Sequence, residues 1–223
     1  MDKNLCVLIP SYNEARTIGD IVSGIRAGGL TAYVVDDGSS DDTAALAERA
    51  GAIVVKHPRN RGKGASLREG LRHIVKYQYD GVVIMDGDGQ HKVSDIGNFT
   101  KIADESGADM VVGNRMSDIS NMPFVRIQTN RFMSFFISRI SGQYVPDTQC
   151  GFRYIRRAAL EKITLESSNF EIESEMIIKA ARAGFKISSV PIQTVYEDEE
   201  SRINPVLDTL RFIAFIVRIS LKR

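Results

Sequence analysis

The feature that most restricts what this chain can fold into is an apolar run of strand length that recurs five times before residue 114. The runs lie at residues 5–9, 32–36, 52–56, 81–86 and 109–113. Each is nearly continuous in apolar residues, as in "LCVLI" and "GVVIMD", where a strand with one wet face would alternate. Segments of helical spacing separate them. The one after Glu14 sets Ile18, Ile21, Val22 and Ile25 on one face and stops at Gly28 and Gly29, which suit a C-cap. The same reasoning predicts helices over residues 41–50, from 63 to about 77, and over 93–106. Strands alternating with such helices imply an α/β fold, a mostly parallel sheet flanked by helices on both faces. Ligands in these folds bind beyond the carboxyl ends of the strands, where loops and helix N-termini converge.

Three of those strand ends are chemically unusual: "PSYNE" at 10–14, "DDGSSDDT" at 36–43 and "DGDGQH" at 86–91. Acidic groups gathered on one rim repel each other unless a cation or ligand hydrogen bonds offset the cost. Read alone, Asp86-Gly87-Asp88 is most simply a turn with solvated charges. At the end of a buried strand, on the rim shared with Asp36 and Asp37, it becomes a candidate site for Mg²⁺ or Mn²⁺, with Gln90 able to add a carbonyl oxygen. In "VVDDGSSDDT", Ser40 or Asp41 suits a helix cap and Asp42 suits the dipole, whereas Asp37 is placed to accept hydrogen bonds from a nucleobase or ribose. "NRGKGASLREG" suggests a Gly-rich anion loop opening a helix, without P-loop spacing, and Lys63 in it reads as a contact to a base or phosphate.

The second half differs in character. Residues 124–142 read as a helix apolar on more than one side, with Phe132, Met133, Phe135, Phe136, Ile137 and Ile140 interspersed by Arg126, Arg131 and Arg139, so something apolar should cover it. "DTQCGFRYI" follows at 147–155, then a helical stretch at 170–184, a strand at 186–192, an acidic loop at 196–202 and a last helix from about Pro205. With no repeat or linker, a single domain over 1–223 is the simplest account. Lys and Arg number 29 against 28 Asp and Glu, which leaves no global field to attract nucleic acid. Cys6 and Cys150 form neither a disulfide framework nor a metal-site spacing, so a reducing cytoplasmic setting is expected. No run approaches the roughly 18 apolar residues of a membrane span or a signal-peptide core, so the chain is expected to be soluble or to sit on a membrane surface.

Taken in order, "VLIPSYNEARTI", "VVDDGSSDDT", "NRGKGASLREG", "VIMDGDGQH", "VVGNR" and "DTQCGFRYIRR" resemble family two glycosyltransferases with the GT-A fold, and most of all the polyprenyl-phosphate hexosyltransferases. The resemblance covers nearly the whole chain. It implies a metal-dependent, inverting transfer of a hexose from GDP-mannose or UDP-glucose to a dolichyl or undecaprenyl phosphate, at the cytosolic face of a membrane. Residues 1–113 would be the nucleotide-binding half and 114–223 the acceptor-binding half. Pro10, Tyr12, Glu14, Asp37, Lys63 and Asp86 would hold the nucleotide-sugar, and Arg202 would close over its phosphates from a mobile loop. Asp86, Asp88 and Gln90 would bind the metal; Arg115, Arg126 and Asn130 would take the acceptor phosphate. Asp147 resembles a carboxylate near the reaction centre, a base or an orienting group, and joins Asp88 and Arg115 as the catalytic set. The chain departs from the pattern where Glu199 and Glu200 precede Ser201, which puts that loop's contacts in doubt. The apolar helix at 124–141 and the amphipathic one at 207–223, whose Arg211, Arg218 and Lys222 share a stripe, would meet lipid or bilayer surface. A soluble or saccharide acceptor, or a non-catalytic nucleotide-sugar binding module, are the alternatives.

Overall fold

The computed structural model describes residues 3–120, 122–193 and 205–221. Its centre is one sheet of seven strands: β1 (Leu5–Ser11), β2 (Thr31–Asp36), β3 (Ile53–Lys56), β4 (Gly81–Ile84), β5 (Met110–Asn114), β6 (Arg153–Arg156) and β7 (Ile187–Pro191). They lie side by side in the order β3-β2-β1-β4-β6-β5-β7. The five expected runs each supply a strand, and the sixth, expected at 186–192, forms the edge strand β7. The sequence reading did not resolve β6, the "RYIR" of 153–156, which inserts antiparallel between β4 and β5. The other pairings are parallel.

The helices are α1 (Ile18–Ala27), α2 (Thr43–Arg49), α3 (Lys63–Ile74), α4 (Ile96–Ser106), α5 (Phe124–Ser141), α6 (Arg157–Lys162), α7 (Glu171–Arg182) and α8 (Pro205–Leu221). Ile18, Ile21, Val22 and Ile25 of α1 are buried, as their spacing required. One apolar core joins β1, β2 and β4 to the second half through Phe152, Ile177, Phe212 and Ile219. Pro10, inside β1, costs no ladder bond to β4, because that pairing ends at Leu8 opposite Ile84.

Two helices keep apolar surface outside the core. On α5, Ile127, Met133 and Ile137 face inward, while Phe124, Val125, Phe132 and Phe135 are exposed. The expected cover therefore exists on one side only. On α8, Phe212, Phe215 and Ile219 pack inward while Ile213, Val217 and Leu221, four residues apart, form an exposed stripe beside exposed Arg218. The side chains of Arg211 and Lys222, expected on the basic stripe, lie outside the described residues. Among the described residues, no helix is long and apolar enough to cross a membrane.

Candidate active site

The site forms where β1, β2 and β4 end together. Ser11 is opposite Asp36 in the ladder, and the chain leaves both strands into loops that are laced to each other. Asn13, at φ 56°, receives Ser40 N–H on its Oδ1 at 2.9 Å and donates its own N–H to Ser39 Oγ at 2.9 Å. Glu14 N–H donates to Thr43 Oγ1 at 2.8 Å, and Asp41 accepts from Ala15 N–H at 3.2 Å and Thr43 N–H at 3.0 Å. Asp41 thus binds the first N–H of α2 from outside the helix, whose N-cap is Asp42 rather than the expected Ser40 or Asp41. Thr17 Oγ1 donates to the Gly87 carbonyl at 2.5 Å, tying α1 to the Asp86–Asp88 turn. Tyr12 and Glu14 sit half-buried on this rim.

Asp37, expected at the donor nucleotide, is also engaged by the protein's own groups. Its carboxylate is buried and accepts from His57 Nδ1 at 2.6 Å, Arg61 N–H at 3.0 Å and Gly62 N–H at 2.8 Å. The glycine-rich loop does cradle an anion, and that anion is the protein's own Asp37. A carboxylate offers about four acceptor positions, so Asp37 keeps one for a ligand. Asp36 beside it, at the end of β2, accepts from Ser39 N–H at 3.4 Å.

The centre of the rim is ionic. Lys63 Nζ, at the first residue of α3, lies 2.6 Å from Asp86 Oδ1 and 2.7 Å from Glu173 Oε1 of α7. Burial alone would lower the Lys63 pKa, but the two carboxylates outweigh it and raise it. Burial likewise opposes the charge on Asp86, yet the Lys63 ammonium holds its carboxyl below the usual carboxylate range. His91 is buried against the Phe152 ring, its Nδ1 has no partner, and burial pushes its pKa down to about 4, so the imidazole is neutral near pH 7. Asp88 Oδ1 accepts from Gln90 N–H at 2.9 Å, which closes the turn. The backbone of Gly151 is so close to Asp86 that a Cβ there would lie 2.4 Å from Oδ2.

Asp86 and Asp88 flank a single glycine with hard oxygen donors, and a cation, the Lys63 ammonium, already sits on Asp86. This donor set fits Mg²⁺ or Mn²⁺ as an open site. Among the described residues no three His, Cys, Asp or Glu side chains gather to hold a metal alone, so an ion held there would take further oxygens from water or a ligand.

Across the rim, Arg115 follows β5 and forks onto Asp147, with Nε 2.7 Å from Oδ2 and Nη2 2.9 Å from Oδ1. Asn130 of α5 donates to the same Oδ1 at 2.7 Å, and Arg115 N–H adds a bond at 3.1 Å. Asp147 is fully buried; burial would raise its pKa, but Arg115 and these hydrogen bonds lower it. Asn130 was expected against an acceptor phosphate. It is buried, and its Oδ1 accepts from Ser134 Oγ at 3.0 Å, so it positions Asp147. Arg126 lies one helical turn before Asn130 on α5, half-buried. Arg202, Glu199, Glu200 and Ser201 lie outside the described residues.

Three contributors were missed at the level of sequence. Glu173 lies in the first turn of α7, and its ion pair with Lys63 spans 110 positions, beyond any local pattern. His57 gave no signal, because its partner Asp37 is 20 residues away. Arg153 is fully buried and donates to the carbonyls of Cys150 at 2.8 Å, Thr148 at 2.8 Å and Glu173 at 2.5 Å, joining the Asp147 loop to α7. A charged residue in "GFRYI" was the only hint of it.

Comparison with known proteins bears on the family and the fold. The profile of the family described as glycosyl transferase family 2 matches residues 6–164. Glycosyltransferase AglJ of Haloferax volcanii is 35% identical over 92% of this chain and 68% of its own length. The UDP-N-acetylglucosamine–dolichyl-phosphate N-acetylglucosaminyltransferase of Methanococcus voltae is 29% identical over 88% of each chain. The crystal structure of glucosyl-3-phosphoglycerate synthase from Mycobacterium tuberculosis with Mn²⁺, UDP and glucosyl-3-phosphoglycerate superposes with a TM-score of 0.71. It covers 97% of this chain and 79% of that one at 20% identity. That likeness shows the GT-A fold.

Proposed function

The chain belongs to glycosyl transferase family 2 and is a glycosyltransferase, and from that premise we propose that it moves a hexose from a nucleoside diphosphate sugar to a polyprenyl phosphate. The observation that carries the acceptor class is that the buried carboxylates best placed to act as a base are ion-paired. Asp147 is forked by Arg115, and Glu173 is held by Lys63. A sugar hydroxyl needs a base at neutral pH, whereas a phosphate monoester arrives as an anionic nucleophile and needs orientation and charge balance. Arg115, whose fork onto Asp147 uses two of five guanidinium donors, and Arg126 are assigned to that phosphate. Asp147 and Asn130 keep Arg115 in place.

Residues 1–113 serve as the nucleotide-binding half, with Asp36, Tyr12, Glu14 and Lys63 around the donor, and residues 114–223 as the acceptor half. A divalent cation on Asp86 and Asp88, of the kind bound with UDP in the mycobacterial synthase, would neutralise the charge growing on the diphosphate leaving group. The exposed Phe132 and Phe135, flanked by exposed Arg131 and Arg139, and the Ile213, Val217 and Leu221 stripe suit the surface of an anionic bilayer, where the lipid acceptor resides. A small cavity where Met133, Phe170 and Phe212 meet Gln149 and Ser174 offers an apolar lining near the Asp147 loop for the first part of the lipid chain. The Methanococcus voltae relative's name includes a dolichyl phosphate acceptor.

The test offers UDP- and GDP-hexoses with a short polyprenyl phosphate, 3-phosphoglycerate and simple saccharides as competing acceptors. Transfer to the lipid phosphate is expected; transfer only to the soluble acceptors would exclude this reading. Asp86→Ala and Asp88→Ala are expected to lower transfer roughly hundredfold or more, and unchanged turnover would exclude the metal role.

A further inference from the structure

Lys63 stands between two carboxylates that belong to different parts of the fold. Its link to Glu173 is built into a clamp. Gly62, at φ 91°, comes so close to the chain before α7 that a Cβ would lie 2.6 Å from the Ser168 carbonyl, and Ala65 N–H donates to that carbonyl at 3.2 Å. The start of α3 and the start of α7 are thereby held together, with Lys63 on one and Glu173 on the other. The Phe170 ring, 5.8 Å from Nζ, closes the third side. The link to Asp86 crosses instead to the turn after β4, on an oxygen at 2.6 Å.

We propose that Lys63 is an internal counterion that occupies Asp86 until a divalent cation displaces it, and that Glu173 is the carboxylate that retains it afterwards. This rests on the metal reading above and adds a pair that controls when the metal can bind. A divalent ion coordinated to Asp86 and an ammonium in contact with the same oxygen would be a few ångströms apart with like charge, in a partly buried site where such repulsion is weakly screened. One must leave. Glu173 is buried, anchored through its carbonyl to Arg153 and already in contact with Nζ, so the ammonium can give up Asp86 without becoming an unpaired buried charge. The metal-free protein then keeps Asp86 paired and ordered, and bare cation binds weakly until diphosphate oxygens complete its shell. Neither partner needs to change protonation.

The experiment measures binding of Mn²⁺ alone to the full chain, by the loss of the free-ion EPR signal, for wild type, Lys63→Met, Glu173→Gln and the double variant. Lys63→Met is expected to bind Mn²⁺ about tenfold more tightly than wild type. Glu173→Gln, which removes the retaining carboxylate, is expected to weaken binding in wild type and to have little effect once Lys63 is gone. No gain in Lys63→Met, or an equal Glu173→Gln effect in both backgrounds, overturns the proposal, the latter because simple charge summation then explains the data. If Lys63→Met fails to fold, Lys63→Gln carries the same comparison. Mn²⁺ binding by wild type with UDP or GDP separates the two failures: if it is present, only the displacement idea falls, and if it is absent, the metal reading falls as well.

Discussion

Asp147 illustrates how a residue can keep its place in an argument while changing its role. The sequence left it open as a base or an orienting group, and the structure surrounds it with Arg115, Asn130 and backbone donors that all favour the ionised form. Its folded pKa lies below its unfolded value of about 3.9. The stability it contributes is therefore complete above about pH 4 and is lost as pH falls further, through the folded value. Urea unfolding between pH 3 and 7 should show a shallower acid limb for Asp147→Asn than for wild type, and identical limbs would refute the assignment. At pH 7 the same variant leaves the Arg115 guanidinium uncompensated and should lose about 3 kcal/mol. Gly151→Ala tests the other side of the rim. With a Cβ 2.4 Å from Asp86 Oδ2, the carboxylate must shift, at a cost of about 1–3 kcal/mol, and the thermal stabilisation by UDP with Mn²⁺ should shrink. The acids of "DGDGQH" were legible as a site because they end an apolar strand. The contacts of Asp37 to His57, Arg61 and Gly62 were not legible, since they depend on a loop 20 to 25 residues away folding back over β2.

Among the elements, helices and parallel strands were read correctly where periodicity alone decides them, as in α1 and β1. β6 escaped because four residues carrying an arginine at each end, "RYIR", resemble neither an apolar strand nor an alternating one. It is buried as an inner strand between β4 and β5, and carbonyls of α7 and the Asp147 loop satisfy its Arg153. α5 was read as apolar on several sides, and it is: an inner face of Ile127, Met133 and Ile137, and an outer one of phenylalanines in edge contact, with Phe132 and Phe136 centroids 4.9 Å apart. Phe132→Ser with Phe135→Ser should change folding stability by only about 1 kcal/mol, because both rings are largely exposed and lose chiefly their contacts with Phe136. Sedimentation with anionic vesicles should drop at least about tenfold in the same variant, from the lost burial of two rings. Unaltered vesicle binding would move the membrane contact elsewhere.

For the molecule as a whole, the nucleotide reading makes a stability prediction. A nucleoside diphosphate with Mg²⁺ or Mn²⁺, at about 100 times its dissociation constant, should add about 2.7 kcal/mol. For a chain of this size that is a shift of roughly 5–10 °C in Tm, reversed by chelation. No response to any nucleoside diphosphate in a thermal scan would count against the donor assignment. The seven-stranded sheet takes strands from both halves of the chain, so donor and acceptor residues share one core. The sequence by itself determined the α/β order and the acidic strand ends, because both are written in neighbouring residues as periodicity and as abrupt changes of polarity. Only the tertiary structure decided which charges neutralise which. Lys63 meets Glu173 across 110 positions and Arg115 meets Asp147 across 32, and such pairings follow from how helices pack against a sheet rather than from local pattern.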